Sequence, residues 1–200
     1  MSQQNNQHTN KLSPPASVPV TTEAQQVLDF WFDTANQPYW FAKEDSFDAK
    51  IKTQFGETLQ AATAGECAHW RNTVEGALAE IIVLDQFSRN LYRNSAQAFA
   101  QDGMALVLAQ QIIQHPDYSK LSQKQQMFAI MPFMHSESAK IHEQALILFE
   151  QLGDATALDF EIRHKQIIDK FGRYPHRNAV LGRKSSTEEV KFLQQPNSSF

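Results

Sequence analysis

The chain has 200 residues, of which 42% are hydrophobic and 20% are charged, and its formal net charge at pH 7 is -4. This length and hydrophobic content suffice for one domain with a sizeable core, whereas the acidic balance argues against a general nucleic-acid-binding protein, whose surface would be strongly basic. The single cysteine, Cys67, excludes an intramolecular disulfide framework and a cysteine-based zinc site, and it favours a cytoplasmic location.

Residues 1–22 are rich in Gln, Asn, Ser and Pro and lack the apolar stretch of a secretory signal. Such a composition buries too little apolar surface to offset the entropy cost of ordering, so this segment is predicted to be disordered. Residues 23–200 are predicted to form a single domain. Its longest apolar run, residues 127–134, is far shorter than the roughly 20 residues that span a bilayer, so no membrane partner is expected.

From Thr22 onward the apolar residues recur with helical spacing, and the strict alternation typical of a half-buried strand is almost absent. The chain is therefore predicted to be all-α, with about eight helices. On a helix predicted over 45–62, one stripe of apolar side chains repeats every four residues: Phe47, Ile51, Phe55 and Leu59. Residues 75–94 are apolar on nearly every side in their first half, which predicts a central buried helix.

Five further helices are predicted over residues 96–114, 122–134, 141–152, 158–171 and 187–194. The connections between them are short. Ser186 and Glu189 have the spacing of a capping box, which marks the start of the last of these helices.

The predicted central helix carries charged side chains directly after its most apolar part. Asp85, Arg89 and Arg93 follow one another at four-residue intervals, so they share one face of the helix. Because unpaired charges are costly to bury, these groups must pair with one another or with groups from elsewhere. Two interpretations stay open: a structural ion-pair network, or a site in which an arginine binds a carboxylate or phosphate.

A second group of polar residues follows Pro132, which is predicted to bend or end the helix before it. His135 and Glu137 then lie at a helix junction, where they are candidates for an acid–base pair. A metal is not expected there, because no third ligand has a recognisable spacing. A histidine that is hydrogen-bonded in the interior is the alternative interpretation.

A third group lies in FGRYPHRNAVLGR, residues 171–183. Residues 163–183 contain six lysine and arginine residues and one acidic residue, so this stretch is positively charged in an acidic chain. Gly172 is placed to end a helix with a left-handed residue, and Pro175 fixes the turn that follows. The turn presents side chains typical of an anion site: Arg173, His176, Arg177 and Asn178. Alternatively, these arginines neutralise buried carboxylates such as Asp85 or Glu137.

Eight features follow one another along the chain: VLDFWF, YWFAKEDSFD, GALAEIIVLDQFSRNLYR, AFAQDGMAL, MPFMHSES, FGRYPHRNAVLGR, STEEVKFL and the terminal Phe200. In these features the chain from Val27 to Phe200 resembles the bacterial family called domain of unknown function 924. The resemblance implies an all-α fold similar to tetratricopeptide-repeat proteins, built from antiparallel helical hairpins in a right-handed array. It implies no reaction.

The leading hypothesis is a polar pocket that binds an anionic small molecule on a concave helical surface. Its candidate ligand-binding residues are Asp85, Arg89, Arg93, Arg173, Arg177 and Asn178. Its candidate catalytic residues are His135, Glu137 and His176. One of the two histidines would act as general acid–base, Glu137 would orient it, and Arg173 or Arg177 would stabilise developing negative charge.

The alternative hypothesis is a protein-interaction module that holds a peptide on its concave surface, with the polar groups as internal ties. Neither a cofactor nor a nucleic-acid partner is expected. Whether the chain is an enzyme, and which oligomer it forms, stay open at this point.

Overall fold

In the computed structural model, which describes residues 18–196 and 198, every regular element is a helix. The prediction of an all-α fold is confirmed. Residues 1–17, most of the segment predicted to be disordered, lie outside the described residues, as does the terminal Phe200. The tetratricopeptide-repeat-like array and the single domain over 23–200 stay predictions.

The α-helices are α1 (Thr22–Phe32), α2 (Asp45–Thr63), α3 (Val74–Ile82), α4 (Ser88–Leu91), α5 (Asp102–Ile112), α6 (Gln123–Met134), α7 (Ala139–Leu152), α8 (Ala155–Phe171) and α9 (Thr187–Leu193). A π turn over Val83–Phe87 joins α3 to α4, and the backbone stays helical through this junction. With these three segments counted as one continuous helix, the described residues contain eight α-helices, as predicted.

One predicted helix is divided, and another matches the structure at its predicted end. The helix predicted over 96–114 is divided into a 3-10 segment, Ala96–Phe99, and α5, because the Ser95 side chain caps the first turn separately. The helix predicted over 122–134 is confirmed as α6, which ends at Met134 with His135 as its C-cap, so Pro132 does not end the helix. A proline removes only one hydrogen bond of a helix, and residues 128–134 of α6 are all buried against their neighbours.

The hydrophobic core is centred on α3, against which α1, α5 and α6 pack. Its side chains are buried on nearly every side of the helix, as the apolar sequence predicted. The stripe predicted on α2 is also confirmed, because all four of its members have at most 6% exposure: Phe47, Ile51, Phe55 and Leu59. Among the described residues, none of the helices combines the length and the apolar character needed to span a bilayer.

The helices α6, α7 and α8 pack side by side and bring the later part of the chain to the end of α6. Gly153 ends α7 with a φ of 72°, and Gly172 ends α8 with a φ of 67°, the left-handed conformation predicted for that glycine. After Gly172 the chain passes through Tyr174, which is fully buried, into a 3-10 turn over Pro175–Arg177. This turn lies beside the junction of α6 and α7.

Candidate functional site

Five polar side chains from neighbouring elements meet at the C-terminal end of α6. We call this group the His135 cluster, and it consists of Asp85, Arg89, Asp102, His135 and Arg177. They come from the π turn, α4, the first residue of α5, the C-cap of α6 and the 3-10 turn after α8. Four of the five were candidates in the sequence, and Asp102 was not.

Asp85 is the buried carboxylate of the cluster, with 1% of its side chain exposed. Its Oδ1 lies 2.7 Å from Nδ1 of His135 and 3.0 Å from a guanidinium nitrogen of Arg89. Burial alone would raise the pKa of Asp85, but Arg89 and His135 together lower it well below its usual range. Asp85 is therefore ionised. It lies in the π turn, a helical irregularity that is frequent at functional sites.

His135 is held as a neutral imidazole in one tautomer. Burial, followed by the positive charge of Arg89, lowers the pKa of His135 below its ordinary value. Because the Asp85 carboxylate only accepts hydrogen bonds, Nδ1 of His135 must donate to it, and the lone pair lies on Nε2. No described residue hydrogen-bonds to Nε2, and 14% of the side chain is exposed. This is the geometry of a general base oriented by a carboxylate.

Asp102 joins the two arginines of the cluster. It accepts two hydrogen bonds from Arg89, at 2.9 and 3.1 Å, and a third from Arg177 at 3.0 Å. Asp102 is not a candidate in the sequence because its partners stand 13 and 75 residues away along the chain. The one signal it offered was its place within AFAQDGMAL, a segment of the family pattern.

Arg177 is fixed by packing as well as by charge. Its guanidinium carbon lies 4.5 Å from the ring centroids of both Phe99 and Tyr174. A terminal nitrogen donates to the His135 carbonyl at 3.1 Å. The side chain is only 7% exposed, and its Nε–H is buried without a hydrogen-bond acceptor among the described residues. Arg177 therefore keeps donor capacity that the described protein groups do not use.

Glu137 does not contact His135, so the prediction that it orients that ring is corrected: the orienting carboxylate is Asp85. Glu137 accepts hydrogen bonds from Arg183 at 2.6 and 2.9 Å and from the Tyr174 backbone N–H at 2.7 Å. Burial would raise the pKa of Glu137, but these donors lower it. The reason is geometric, because His135 and Glu137 face different elements from the turn between α6 and α7.

Asn178 contacts the ion pair of Arg183 and Glu137 and is not part of the His135 cluster. Its side-chain oxygen accepts a hydrogen bond from Nε of Arg183 at 3.0 Å, and its amide donates to Ser185. Asn178 is 1% exposed. Its visible role is to hold the turn that carries Arg177.

Arg93 and Arg173 lie outside the His135 cluster. Arg93 pairs with Asp48 of α2, because the helix that carries Asp85 and Arg89 ends at Leu91 and the four-residue spacing no longer applies. Arg173 pairs with Glu189 of α9 at 2.7 and 2.9 Å. Both arginines therefore form structural ion pairs, although Arg173 pairs with Glu189 and not with Asp85 or Glu137.

The family model described as "Bacterial protein of unknown function (DUF924)" matches residues 27–197. The chain belongs to this family. Its fold is similar to the solved structure of the protein of unknown function ATU0120 from Agrobacterium tumefaciens, with 32% sequence identity and a TM-score of 0.81. The similarity covers 86% of this chain and 96% of that one. No curated protein matches the chain.

In this DUF924 protein, three more histidines lie around the buried Tyr174. The ring centroids of His176, His164 and His142 are 5.5, 5.7 and 6.3 Å from the Tyr174 ring. Burial, and then the charge of Arg177, lowers the pKa of His176 to about 4, so this candidate base is neutral at pH 7. Among the described residues, no three or more His, Cys, Asp or Glu side chains are grouped to hold a metal ion.

The buried His164 makes the stability of the DUF924 protein sensitive to acid. Burial lowers the pKa of His164 from 6.5 to about 3, so the unfolded chain binds a proton below pH 6.5 that the folded chain does not. Stability present above pH 6.5 is lost as the pH falls toward 3, by about 2 kcal/mol at pH 5 for this residue. Urea unfolding at pH 7 and pH 5 measures the loss.

Between pH 7 and pH 5, the free energy of unfolding of the variant His164→Gln should fall by about 2 kcal/mol less than that of the wild type. The matched control is His69→Gln, since His69 is exposed. Equal losses in the wild type and in His164→Gln would show that His164 is not held neutral.

Proposed function

We propose that the His135 cluster binds a small molecule with a carboxylate or phosphate group, and that His135 acts on this molecule as a general base. One observation carries the proposal: the buried Asp85 orients His135 so that its unshared Nε2 is left for a ligand. A carboxylate that fixes the tautomer of a histidine is the arrangement by which many enzymes activate a hydroxyl group or a water molecule.

Arg89 and Arg177 support binding of the negative charge. Each guanidinium has five N–H donors, and the two groups share Asp102 as a partner. The rings of Phe99 and Tyr174 pack on the Arg177 guanidinium, and its low exposure strengthens its interaction with an anion. The cluster reaches solvent through partly exposed side chains: Arg89 at 20%, Asp102 at 17% and His135 at 14%. A ligand would enter at this edge.

A cytoplasmic location is part of the proposal. The chain contains one cysteine, which is buried and free in the structure, and reduced thiols are typical of that compartment.

A thermal-shift screen against inorganic phosphate, nucleotides and carboxylic acids tests the binding site. A ligand at 100 times its Kd stabilises the folded state by about 2.7 kcal/mol, and the stabilisation grows with ligand concentration. Arg177→Lys should lose this response, because lysine keeps the charge but not the planar fork. Arg173→Lys is the matched control, since Arg173 stands in the same segment but pairs with Glu189, and it should keep the response.

The general-base role is tested with His135→Gln. This variant should bind the same ligand, while any turnover should fall by about 10²–10⁴-fold, the usual contribution of a general base. Silence across the whole panel, or an equal response in Arg177→Lys and Arg173→Lys, would contradict the proposed site.

A second candidate function, a protein-interaction module, is favoured by the internal pairing of the cluster. Both arginines already contact carboxylates among the described residues, so the cluster also serves as a tie between helices. Three apolar side chains on α7 and α8 are exposed instead: Ile147 at 54%, Phe160 at 42% and Ile162 at 38%. For this function, Phe160→Ser should abolish retention of a partner protein, and Arg177→Lys should not.

A further inference from the structure

A second set of buried polar groups lies directly behind the turn that carries His135. His142 of α7 and Glu161 of α8 are both 0% exposed, and Nδ1 of the histidine is 2.7 Å from Oε1 of the carboxyl group. The other ring nitrogen, Nε2, lies 2.9 Å from the Ser136 carbonyl oxygen and 3.1 Å from the Tyr174 hydroxyl.

The neighbours of Nε2 determine that it carries a hydrogen. The Ser136 carbonyl oxygen only accepts. The Tyr174 hydroxyl donates to the Met134 carbonyl at 2.5 Å, so toward His142 its oxygen accepts. Burial raises the pKa of Tyr174, which keeps the hydroxyl protonated. The Nε2–H of His142 is therefore shared between Ser136 and Tyr174.

One proton lies between Nδ1 of His142 and Oε1 of Glu161, and its position decides whether the pair is ionised or neutral. The second oxygen of Glu161, Oε2, is buried and accepts no hydrogen bond from any described residue. A buried carboxylate with one oxygen unsatisfied is costly, and a neutral carboxylic acid is much less so. The nearby cation Lys165 is ion-paired with Asp169 at 2.7 Å. Burial also raises the pKa of Glu161.

The groups around this pair hold three consecutive carbonyls at the end of α6. The carbonyl oxygens of Met134, His135 and Ser136 accept from Tyr174, Arg177 and His142, respectively. The last carbonyls of a helix have no partner within the helix. These side chains therefore fix the backbone on both sides of His135.

We infer that Glu161 is a neutral carboxylic acid that donates its proton to Nδ1 of His142, and that this pair is a positioning unit for His135. The positioning role rests on the proposed function of His135, whereas the protonation state does not. In the neutral pair, Glu161 fixes the tautomer of His142, and that tautomer presents its Nε2–H to the turn.

Infrared and nitrogen-15 NMR spectra of the full chain at pH 7 test the protonation state. The carbonyl stretch of a protonated carboxylic acid should be present in the wild type and absent from Glu161→Gln, and His142 should carry a hydrogen on Nε2 alone. The glutamine amide can donate to Nδ1, so Glu161→Gln should melt close to the wild type. An imidazolium signal for His142, or no loss of the infrared band in Glu161→Gln, would overturn the inference.

The positioning role is tested by the ring nitrogen shifts of His135. Glu161→Leu fills a similar volume but donates nothing, so it should shift the His135 signals, while Glu161→Gln should leave them in place. Tyr174→Phe keeps the ring and removes the hydroxyl that binds Met134, and it serves as a second variant if Glu161→Leu does not fold. Unchanged His135 signals in the folded variant would exclude the role. No ligand is needed, so the result is independent of the screen that tests the proposed function.

Discussion

Replacing Asp102 with alanine is expected to destabilise the protein by about 3–5 kcal/mol, the usual cost of removing one partner from a buried ion pair. The substitution takes the shared carboxylate from Arg89 and Arg177, whose side chains are 20% and 7% exposed. The two guanidinium groups then face each other with Asp85 as the remaining carboxylate of the cluster. Urea unfolding monitored by circular dichroism measures the loss.

The matched control is Asp117→Ala. Asp117 pairs with Lys120 on the surface, where the two side chains are 44% and 71% exposed, and such exposed pairs contribute little to stability. A loss in Asp102→Ala no larger than that of the control would contradict the buried network.

Added phosphate should restore part of the stability of Asp102→Ala. An anion that takes the place of the missing carboxylate binds only the folded state, so stability should rise with phosphate concentration. Asp117→Ala should show no comparable gain. The comparison therefore separates binding between Arg89 and Arg177 from a general salt effect.

Replacing Gly76 with alanine is also expected to have a large effect, lowering the free energy of unfolding by about 3 kcal/mol or more. Gly76 lies in the first turn of α3, where an added Cβ would stand 2.1 Å from the backbone oxygen of Trp70 and 2.9 Å from its carbonyl carbon. Backbone atoms cannot rotate away as a side chain does, so α3 would have to move. Because α3 forms the centre of the core, this displacement disturbs the helices packed on it.

Gly56→Ala is the matched control for this substitution. Gly56 lies within α2, and a Cβ there would meet no atom within 4 Å. Alanine is the better helix former by about 0.5–1 kcal/mol, so Gly56→Ala should stabilise the protein slightly. Opposite signs for the two glycine substitutions in urea unfolding are expected. If both substitutions changed the free energy of unfolding in the same direction, the predicted clash between the added Cβ and the Trp70 backbone would be contradicted.

Sequence patterns were sufficient where a feature depends on a few consecutive residues. The four-residue stripe on α2, the left-handed Gly172 and the capping box of Ser186 and Glu189 are all present in the structure. The helix predicted over 122–134 is present as well, and it continues through Pro132 because the buried surroundings of α6 outweigh the local preference of proline. Residue spacing along one helix expresses local preferences, which tertiary contacts can override.

The sequence by itself determined the helical fold and identified Asp85, Arg89, His135 and Arg177 as groups that need partners. Only the tertiary structure decided which partners they have. His135 meets a carboxylate 50 residues away, Arg183 reaches Glu137 across 46 residues, and Asp102 was not a candidate. Pairing between distant charges depends on where each helix ends and how helices pack. Spacing along the chain does not predict such pairing. Arg93, for example, follows the end of α4 at Leu91 and therefore pairs with Asp48 of α2 instead of joining Asp85 and Arg89.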